Sequence, residues 1–221
     1  MKIGIIGAGH IGGTLVRRLR RLGHEVSVAN SRGPETLAAL AAETGAQAVT
    51  VAQAPGDAEL LVVTIPERAV PDLPRDLFAQ AATGLVVVDT GNYYPQRDGR
   101  IEEIEAGLPE SRWVERQLRH PVVKAFNTIH AANLMNLGRP PGSPDRLALP
   151  IAGGDESARA VVLDLVDQLG FDAVDAGGLD ESWRQQPGTP VYGTQLDAAG
   201  VREALAQASR DRLPQFRAGG R

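Results

Sequence analysis

The chain contains no cysteine, few histidines and no long apolar run. Without cysteine, disulfides, thiolate catalysis and thiolate metal sites are excluded. The four histidines form no HxxH or HExxH pattern, so the sequence predicts no metal site. No stretch reaches the roughly 18 apolar residues that span a bilayer, and the apolar N-terminal segment is too short and too glycine-rich for a signal peptide. We therefore expect a cytoplasmic protein that makes no contact with a membrane.

An excess of positive charge is also missing. The formal net charge is −4, which gives no electrostatic reason to expect a nucleic-acid partner. The hydrophobic content of 43% and the charged content of 23% are ordinary for a globular protein, and 221 residues can bury one good core.

Short β-branched runs, several of them almost continuously apolar, recur along the chain, as expected for parallel strands covered on both faces. Helical patterns lie between the early runs, namely Ile11–Leu22 and a segment from Pro34 to about Glu43. This alternation predicts an α/β fold with a Rossmann-type, doubly wound, mostly parallel sheet. The predicted strands are Lys2–Ile6, Glu25–Ala29, Leu60–Thr64, Leu85–Asp89, Pro121–Lys124, Leu147–Ala152 and Phe171–Val174.

Two stretches are predicted to be loops, Gly91–Gly99 and the Pro- and Gly-rich Leu137–Asp145. The second places a soft boundary near residue 145. Residues 1–145 are predicted to form the Rossmann core, and residues 146–221 a β–α–β continuation with C-terminal helices, together making one compact unit. The short C-terminal extension is expected to complete the site. The helices predicted in this extension are Asp155–Leu169 and a segment near Ala198–Ser209.

The segment Gly7–Gly12 reads G-x-G-x-x-G directly after an apolar strand and directly before an amphipathic helix. In this setting Gly7 permits the tight turn, Gly9 lets the backbone approach a pyrophosphate, and Gly12 allows the helix to pack close to the strand. The helix N-terminus then offers free N–H groups to the anion. The pattern predicts dinucleotide binding. The alternative is that these glycines form a structural turn that binds no ligand.

The end of the second predicted strand discriminates between the two nicotinamide dinucleotides. An NAD site typically carries an acid there, but this chain reads Asn30-Ser31-Arg32, with no acid before Glu35. A guanidinium and a hydroxyl can hold a 2′-phosphate with charge-assisted hydrogen bonds. We therefore predict NADP(H), with Ser31 and Arg32 as phosphate ligands and Asn30 and Thr36 as weaker candidates. A solvated arginine on a turn is the alternative.

Several blocks occur in the order found in one known family. They are the glycine turn, Asn30–Arg32, Thr64–Pro66, the VKAFNTI segment Val123–Ile129 and the late Asp175–Gly177. With these blocks the chain resembles the NADPH-dependent oxidoreductases of the 8-hydroxy-5-deazaflavin (coenzyme F-420) type. It is also similar to the cytoplasmic domain of the STEAP metalloreductases, mainly through VKAFNTI. The likeness runs from residue 1 to about residue 190 and fades in the segment expected to shape the acceptor pocket.

The resemblance implies how the cofactor would lie. The glycine turn would line the pyrophosphate, Ser31 with Arg32 would hold the 2′-phosphate, and two further segments would border the nicotinamide from opposite sides and leave space for a flat acceptor. The residues implied at the pyrophosphate are Gly7, Gly9, His10, Ile11 and Gly12. Those implied at the nicotinamide are Thr64, Ile65 and Pro66 on one side and Ala125, Phe126 and Asn127 on the other.

The function that follows is hydride transfer between NADP(H) and a flat small-molecule acceptor, such as deazaflavin coenzyme F-420, FMN or FAD. Because the cofactors carry this chemistry, no nucleophile is expected. His130 is a candidate proton donor, although a histidine that is exposed or caps a helix would look the same. Trp183, Tyr93 and Tyr94 could stack on a flat ring or serve only packing. A homodimer is compatible with this family.

Two other readings remain. Hydroxyacid dehydrogenases and imine or pyrroline reductases share this opening, but they typically carry a large helical domain, for which about 70 residues beyond the core are too few. A redox sensor or regulatory module could bind NADPH through the same fold without turnover, because a fold does not determine function.

Overall fold

The computed structural model describes residues 1–219, and the last two residues of the predicted C-terminal segment lie outside the described residues. Within this range eight strands form one sheet in the order β3-β2-β1-β4-β5-β6-β7-β8. The strands are β1 (Lys2–Ile6), β2 (Glu25–Ala29), β3 (Gln47–Ala48), β4 (Leu60–Val63), β5 (Val86–Asp89), β6 (Val123–Lys124), β7 (Ala148–Gly153) and β8 (Asp172–Asp175).

The helices connect successive strands and cover both faces of the sheet. Short 3₁₀ segments add to them at Pro34–Leu37, Val51–Gln53, Glu67–Asp72, Leu179–Gln185 and Pro214–Phe216. The α-helices are α1 (His10–Arg21), α2 (Ala38–Thr44), α3 (Pro95–Asp98), α4 (Glu102–Glu105), α5 (Glu110–Leu118), α6 (Ala131–Asn136), α7 (Glu156–Gln168) and α8 (Ala198–Ala206).

The sheet confirms the predicted α/β doubly wound fold. Strands β1 to β6 are parallel to one another, and their order 3-2-1-4-5-6 is that of a dinucleotide-binding fold. Strand β7 runs antiparallel to β6, and β8 runs parallel to β7, so the C-terminal part extends the same sheet. The order reverses between β1 and β4, and ligands of such folds bind outside the carboxyl ends of the strands at this point.

The central strands are buried on both faces, which explains their continuous apolar sequences. Leu60 and Val62 of β4 pack with α1 and α7 on one side of the sheet. Leu61 and Val63 point to the other side, where they pack in a cluster with Trp113 of α5. Because successive side chains of a strand alternate between faces, a strand covered twice needs apolar residues at every position.

Several predicted boundaries were wrong. The segment predicted as one helix from Pro34 begins as a 3₁₀ turn and becomes α2 only at Ala38. The loop predicted at Gly91–Gly99 contains α3, which has Pro95 in its first turn. Strand β3 was not predicted, because two residues give no periodic pattern. After β8 the described residues contain one α-helix, α8, and two 3₁₀ segments rather than several α-helices. The loop Leu137–Asp145 is confirmed, since it holds no helix or strand.

Helix α7 shows why other boundaries were predictable. The Asp155 carboxylate accepts hydrogen bonds from the N–H groups of Ser157 and Ala158, at 2.7 and 3.2 Å, and so caps the helix. Gly170, just past the end, has φ +86°, a conformation that glycine adopts without cost. Among residues 1–219, no helix combines the length and the apolar character needed to cross a membrane.

Candidate functional site

The glycine turn joins β1 to α1 at the point where the strand order reverses. Gly7 has φ +108°, and a Cβ there would lie 2.2 Å from the Thr64 carbonyl oxygen. A Cβ on Gly12 would lie 1.9 Å from the Gly7 carbonyl oxygen, so only glycine lets α1 pack this closely. At Gly9 a Cβ would meet nothing within 4 Å, and the backbone faces open space. The three glycines therefore have the three separate roles that the motif predicts.

The N-terminus of α1 is open to an anion. No side chain caps the helix at Gly9, and its first turn contains no acid. The first N–H groups of a helix have no partner within it and carry the positive end of its dipole. Two phosphate groups could therefore bind here through the backbone alone.

A groove of about 720 Å³ runs from this turn between α1, α2 and α6. Gly9, His10, Arg32 and Thr36 line it, so the structure brings part of the predicted pyrophosphate site together with part of the predicted phosphate site. Sequence reasoning missed the wall formed by α6. The residues that α6 contributes are Ala131, Ala132, Met135 and Asn136. Two alanines, one residue after the VKAFNTI block, could have indicated a helix that lies close to a ligand.

Asn30 and Thr36 shape the turn that carries Arg32. The Asn30 side-chain oxygen accepts a hydrogen bond from the Arg32 N–H at 2.9 Å, and its amide nitrogen donates to the Thr36 hydroxyl at 2.9 Å. The Thr36 hydroxyl in turn donates to the Gly33 carbonyl at 2.8 Å. Ser31 and Arg32 are exposed, and among the described residues the Arg32 guanidinium has no ion pair. Asn30 and Thr36 thus act mainly by holding the turn.

Thr64, Ile65 and Pro66 lie beside the glycine turn and are each half-buried. The Thr64 N–H donates to the Ile6 carbonyl at 2.9 Å, and the Thr64 methyl group would lie 2.8 Å from a Cβ on Gly12. This places the segment beside the glycine turn, and its position at the inner ribose and nicotinamide, which the resemblance implies, stays a prediction.

The opposite segment is more enclosed than the resemblance implies. Ala125, Phe126 and Asn127 are all buried, and Phe126 packs in the core. The Asn127 amide nitrogen donates to the Gln185 carbonyl at 2.7 Å and to the Asn92 side-chain oxygen at 3.1 Å. Their side chains are thus occupied within the protein, and a nicotinamide would meet mainly backbone here. Phe126 has φ +61°, a strained conformation that often marks a ligand site.

A group of buried ionisable side chains lies behind this segment, and sequence reasoning missed it. The Lys124 ammonium, fully buried, donates to the Asp89 carboxylate at 2.9 Å and to the Gly91 carbonyl at 2.6 Å. Burial lowers the pKa of Lys124, but the nearby carboxylates of Asp89, Glu67 and Glu110 outweigh it and raise the pKa. The Lys124 charge therefore persists and ties the ends of β5 and β6 together.

Glu67 lies in the same group of buried ionisable side chains, but among the described residues it forms no hydrogen bond with the other members. Its side chain is fully buried, and neither carboxylate oxygen has a hydrogen-bond partner among the described residues. Burial raises the pKa of Glu67 well above its usual range, and the charge of Asp89 raises it further, against the opposing effect of Lys124. The folded protein therefore favours the protonated form of this carboxyl group. Its position directly after Thr64–Pro66 was the only signal in the sequence.

Three aromatic rings from distant parts of the sequence lie close together. The Tyr94 and Tyr192 hydroxyls are hydrogen-bonded to each other, and Phe216 lies 6.3 Å from the Tyr94 ring and 6.4 Å from the Tyr192 ring. Burial and the contact with Tyr192 raise the pKa of Tyr94. The predicted stacking candidates Tyr93 and Trp183 are both buried and pack against the protein instead. Tyr192 and Phe216 were not singled out, because they lie far away in the sequence.

His130 is exposed and stands at the N-cap of α6. Its Nε2 atom lies 3.6 Å from the position that a Cβ on Gly193 would take, so it borders the chain beside Tyr192. The residue is placed near the aromatic rings, and its role as a proton donor stays a prediction. Within residues 1–219, no group of three or more His, Cys, Asp or Glu is arranged to hold a metal ion.

Comparison with known proteins places the N-terminal half of this site in a family. Residues 2–93 match the family model "NADP oxidoreductase coenzyme F420-dependent". The protein YjhV of Escherichia coli (strain K12) is 43% identical over 81 residues, which cover 35% of this chain and 59% of that protein. The chain therefore spans about 59% of the curated relative that it matches.

Two solved structures are similar over most of the chain. The protein SMa0349 from Sinorhizobium meliloti has 29% sequence identity and a TM-score of 0.75, covering 89% of this chain and 95% of that one. A protein from Arthrobacter sp. FB24, described as an F420-dependent NADP reductase, has 25% identity and a TM-score of 0.65, covering 81% and 86%. These findings support the family resemblance that the sequence motifs indicate, and residues 2–93 match the model of the coenzyme F420-dependent NADP oxidoreductase family.

Proposed function

We propose that the protein is an NADP(H)-dependent oxidoreductase that transfers a hydride between the nicotinamide and a flat acceptor such as a deazaflavin or a flavin. The observation that carries this proposal is the juxtaposition, in one groove, of a helix N-terminus without a side-chain cap and the Arg32 guanidinium, which has no ion pair among residues 1–219. These groups match the two anionic parts of NADP(H), the pyrophosphate and the 2′-phosphate. The match to the family model over residues 2–93 supports the same cofactor.

The residues of the chain would bind and orient the cofactor. NADP(H), when bound, supplies the hydride, and the protein supplies position and electrostatics. The glycine turn would fix the pyrophosphate. Thr64 and Ile65 would then border the inner ribose and nicotinamide, and the backbone at Phe126 would limit the space on the other side. Holding the two planar rings at a fixed separation contributes most of the rate enhancement in such a reaction. The entropy of bringing the rings together is then lost on binding and not in the chemical step.

The acceptor would lie toward the aromatic rings. Tyr94 and Tyr192 are half-buried, so their rings offer a partly exposed apolar surface to a flat molecule. His130 and the neutral Tyr94 hydroxyl are the groups nearest this surface that could deliver a proton to the acceptor. The C-terminal segment contributes Tyr192, which agrees with the expectation that it completes the site.

The proposal is tested by following NADPH oxidation by absorbance with oxidised deazaflavin coenzyme F-420, FMN, FAD and a ferric chelate as separate acceptors, with NADH as the control donor. We expect turnover with a deazaflavin or a flavin and a preference for NADPH over NADH. Tight NADPH binding without oxidation by any acceptor would overturn the assignment of an enzymatic activity and favour the alternative of an NADPH-binding redox sensor. An absence of NADPH binding would overturn the cofactor assignment itself.

A further inference from the structure

A second cavity, separate from the dinucleotide groove, lies where the C-terminal segment after α8 crosses back over α4. It measures about 550 Å³, and its wall includes Trp183, Gln186 and Thr189. We propose that this cavity binds the phosphate or carboxylate end of a small anionic molecule. This site is independent of the proposed function, since it shares no residue with the groove between α1 and α6.

The charge of the wall is the first argument. The chain as a whole is acidic, with a formal net charge of −4, yet the wall of this cavity carries an excess of positive charge. An arginine cluster in a concave, partly enclosed surface focuses its field on small anions. The charged residues of the wall are Arg100, Arg210, Arg212 and Arg217 against Glu105 and Asp211.

Two of these arginines are available to a ligand. Arg212 is paired with Glu110, and Arg100 donates to Glu102 at 2.7 Å. Among residues 1–219, Arg210 and Arg217 have neither an ion pair nor a side-chain hydrogen bond. The planar guanidinium group binds carboxylate and phosphate oxygens in pairs, so two free arginines beside one cavity suit such a ligand.

Two of the acids near these arginines, Asp180 and Glu105, are already engaged. Arg210 lies close enough to Asp180 to lower the pKa of that carboxyl, but Arg112 already holds Asp180 through two hydrogen bonds, at 2.6 and 2.9 Å. The Glu105 carboxylate accepts a hydrogen bond from the N–H of Ala218 at 2.9 Å. The protein thus offers Arg210 no direct carboxylate partner among the described residues.

Unsatisfied donors are the second, independent argument. Trp183 and Gln186 are 9% and 8% exposed, and within the described residues neither Trp183 Nε1 nor Gln186 Nε2 has a hydrogen-bond partner. A buried N–H without a partner is costly, so these two donors, on residues that line the cavity, call for a partner such as a water or an ion that reaches them when the site is filled. Both groups are donors, as an anion requires.

Trp183 also provides a reporter inside the cavity. The Arg184 and Arg210 guanidinium groups each lie 4.6 Å from the centre of its ring, so an anion that binds Arg210 would change the surroundings of the indole. The chain has two tryptophans, and the other, Trp113, is buried in the core. The substitution Trp113→Phe therefore leaves Trp183 as the single tryptophan, whose fluorescence can be excited selectively over that of the three tyrosines.

The test is a fluorescence titration of the Trp113→Phe protein with inorganic pyrophosphate and, separately, with citrate, at constant ionic strength held by NaCl. We expect a saturable change with at least one of the two anions. In the same background Arg210→Gln and Arg217→Gln should each weaken binding at least tenfold. Arg202→Gln, which removes an exposed arginine outside the cavity, should leave it unchanged.

Three results would overturn the proposal. One is a fluorescence change that, for pyrophosphate and for citrate alike, either stays linear with the anion concentration or is equalled by the change that NaCl produces. The second is equal weakening by Arg202→Gln and the cavity variants, which would indicate attraction to net charge alone. The third is full affinity in both cavity variants. Because no nicotinamide cofactor is present and the signal arises at Trp183, the outcome does not depend on whether NADP(H) binds in the other groove.

Discussion

At the scale of single residues, Arg32 should decide which nicotinamide dinucleotide binds. Its guanidinium is exposed and, among residues 1–219, not engaged in an ion pair, whereas the turn beneath it is fixed by Asn30 and Thr36. We expect Arg32→Gln to weaken NADPH binding about tenfold or more, because a charge-assisted hydrogen bond contributes roughly 1.5–3 kcal/mol. NADH, which lacks the 2′-phosphate, should bind almost unchanged.

The measurement is the ratio of the NADPH and NADH dissociation constants by calorimetry. Arg75→Gln is the matched control, since Arg75 is exposed and lies outside the groove. An unchanged ratio in Arg32→Gln would remove Arg32 from the phosphate site and leave the exposed arginine without a ligand role.

Glu67 should make the stability of the protein depend on pH. Because its pKa is raised in the folded state, the folded protein keeps a proton at pH values where the unfolded chain, with an ordinary value near 4.5, has released it. The stability associated with this proton is complete below the unfolded pKa and is lost as the pH rises through the folded pKa. The loss proceeds at up to about 1.4 kcal/mol per pH unit for one proton.

Glu67→Gln cannot ionise and should remove this slope. Urea unfolding of both proteins between pH 5 and pH 9 should show that the variant gains stability over the wild type as the pH rises. Glu35→Gln, at an exposed position, is the control and should follow the wild type. Parallel curves for the wild type and Glu67→Gln would show that Glu67 ionises normally in the folded protein.

At the scale of elements, the β1–α1 unit contains two glycines, Gly12 and Gly9, that differ in the space available to a side chain. A methyl group on Gly12 would lie 1.9 Å from the Gly7 carbonyl oxygen, whereas one on Gly9 would meet nothing within 4 Å. We expect Gly12→Ala to lower the free energy of unfolding by about 1–3 kcal/mol, because α1 must move away from β1. Gly9→Ala should keep the stability of the wild type but bind NADPH more weakly, because its methyl group projects into the space of the pyrophosphate.

Thermal unfolding without cofactor and NADPH titration distinguish the two effects. If Gly9→Ala binds NADPH like the wild type, the pyrophosphate does not approach this part of the backbone. Gly12→Ala with an unchanged melting temperature would mean that the close approach of α1 is not needed for stability.

The same scale explains which elements were predictable from sequence. Strands β1 and β2 were predicted with their observed bounds because their runs are apolar and bordered by turn residues. Helix α7 carries its own cap at Asp155 and ends before Gly170. In contrast, α3 and β3 are too short for any periodicity. Their conformation depends on neighbours such as Val28, which pairs with Ala48, and these neighbours are distant in sequence.

At the scale of the whole molecule, the predictable part of the site is the part built by consecutive residues. The glycine turn and the Asn30–Arg32 turn are each formed by consecutive residues, so their geometry could be predicted from the sequence. The wall formed by α6 and the aromatic pair Tyr94–Tyr192 are assembled across about half of the chain or more. Similarly, Glu67 and Lys124 look ordinary in sequence, and only the fold brings their charges together in a buried group.

A buried ion pair between Arg212 and Glu110 joins the C-terminal segment to the Rossmann core. Arg212, whose side chain is 14% exposed, binds the fully buried carboxylate of Glu110, which also accepts a hydrogen bond from the Tyr93 N–H at 3.1 Å. Burial raises the pKa of Glu110, and Arg212 opposes that increase. Removing one partner of such a pair leaves an uncompensated buried charge, which costs far more than the intact pair contributes.

We therefore expect Arg212→Met to lower the free energy of unfolding by about 3 kcal/mol, and Glu110→Gln combined with Arg212→Met to recover most of that loss. The glutamine oxygen can still accept the hydrogen bond from Tyr93, and neither position of the former pair carries a charge. Urea denaturation of the wild type, both single variants and the double variant gives the coupling energy directly. A double variant as unstable as Arg212→Met would contradict this account, because the loss would then come from the packing of the arginine stem and not from the charge of Glu110.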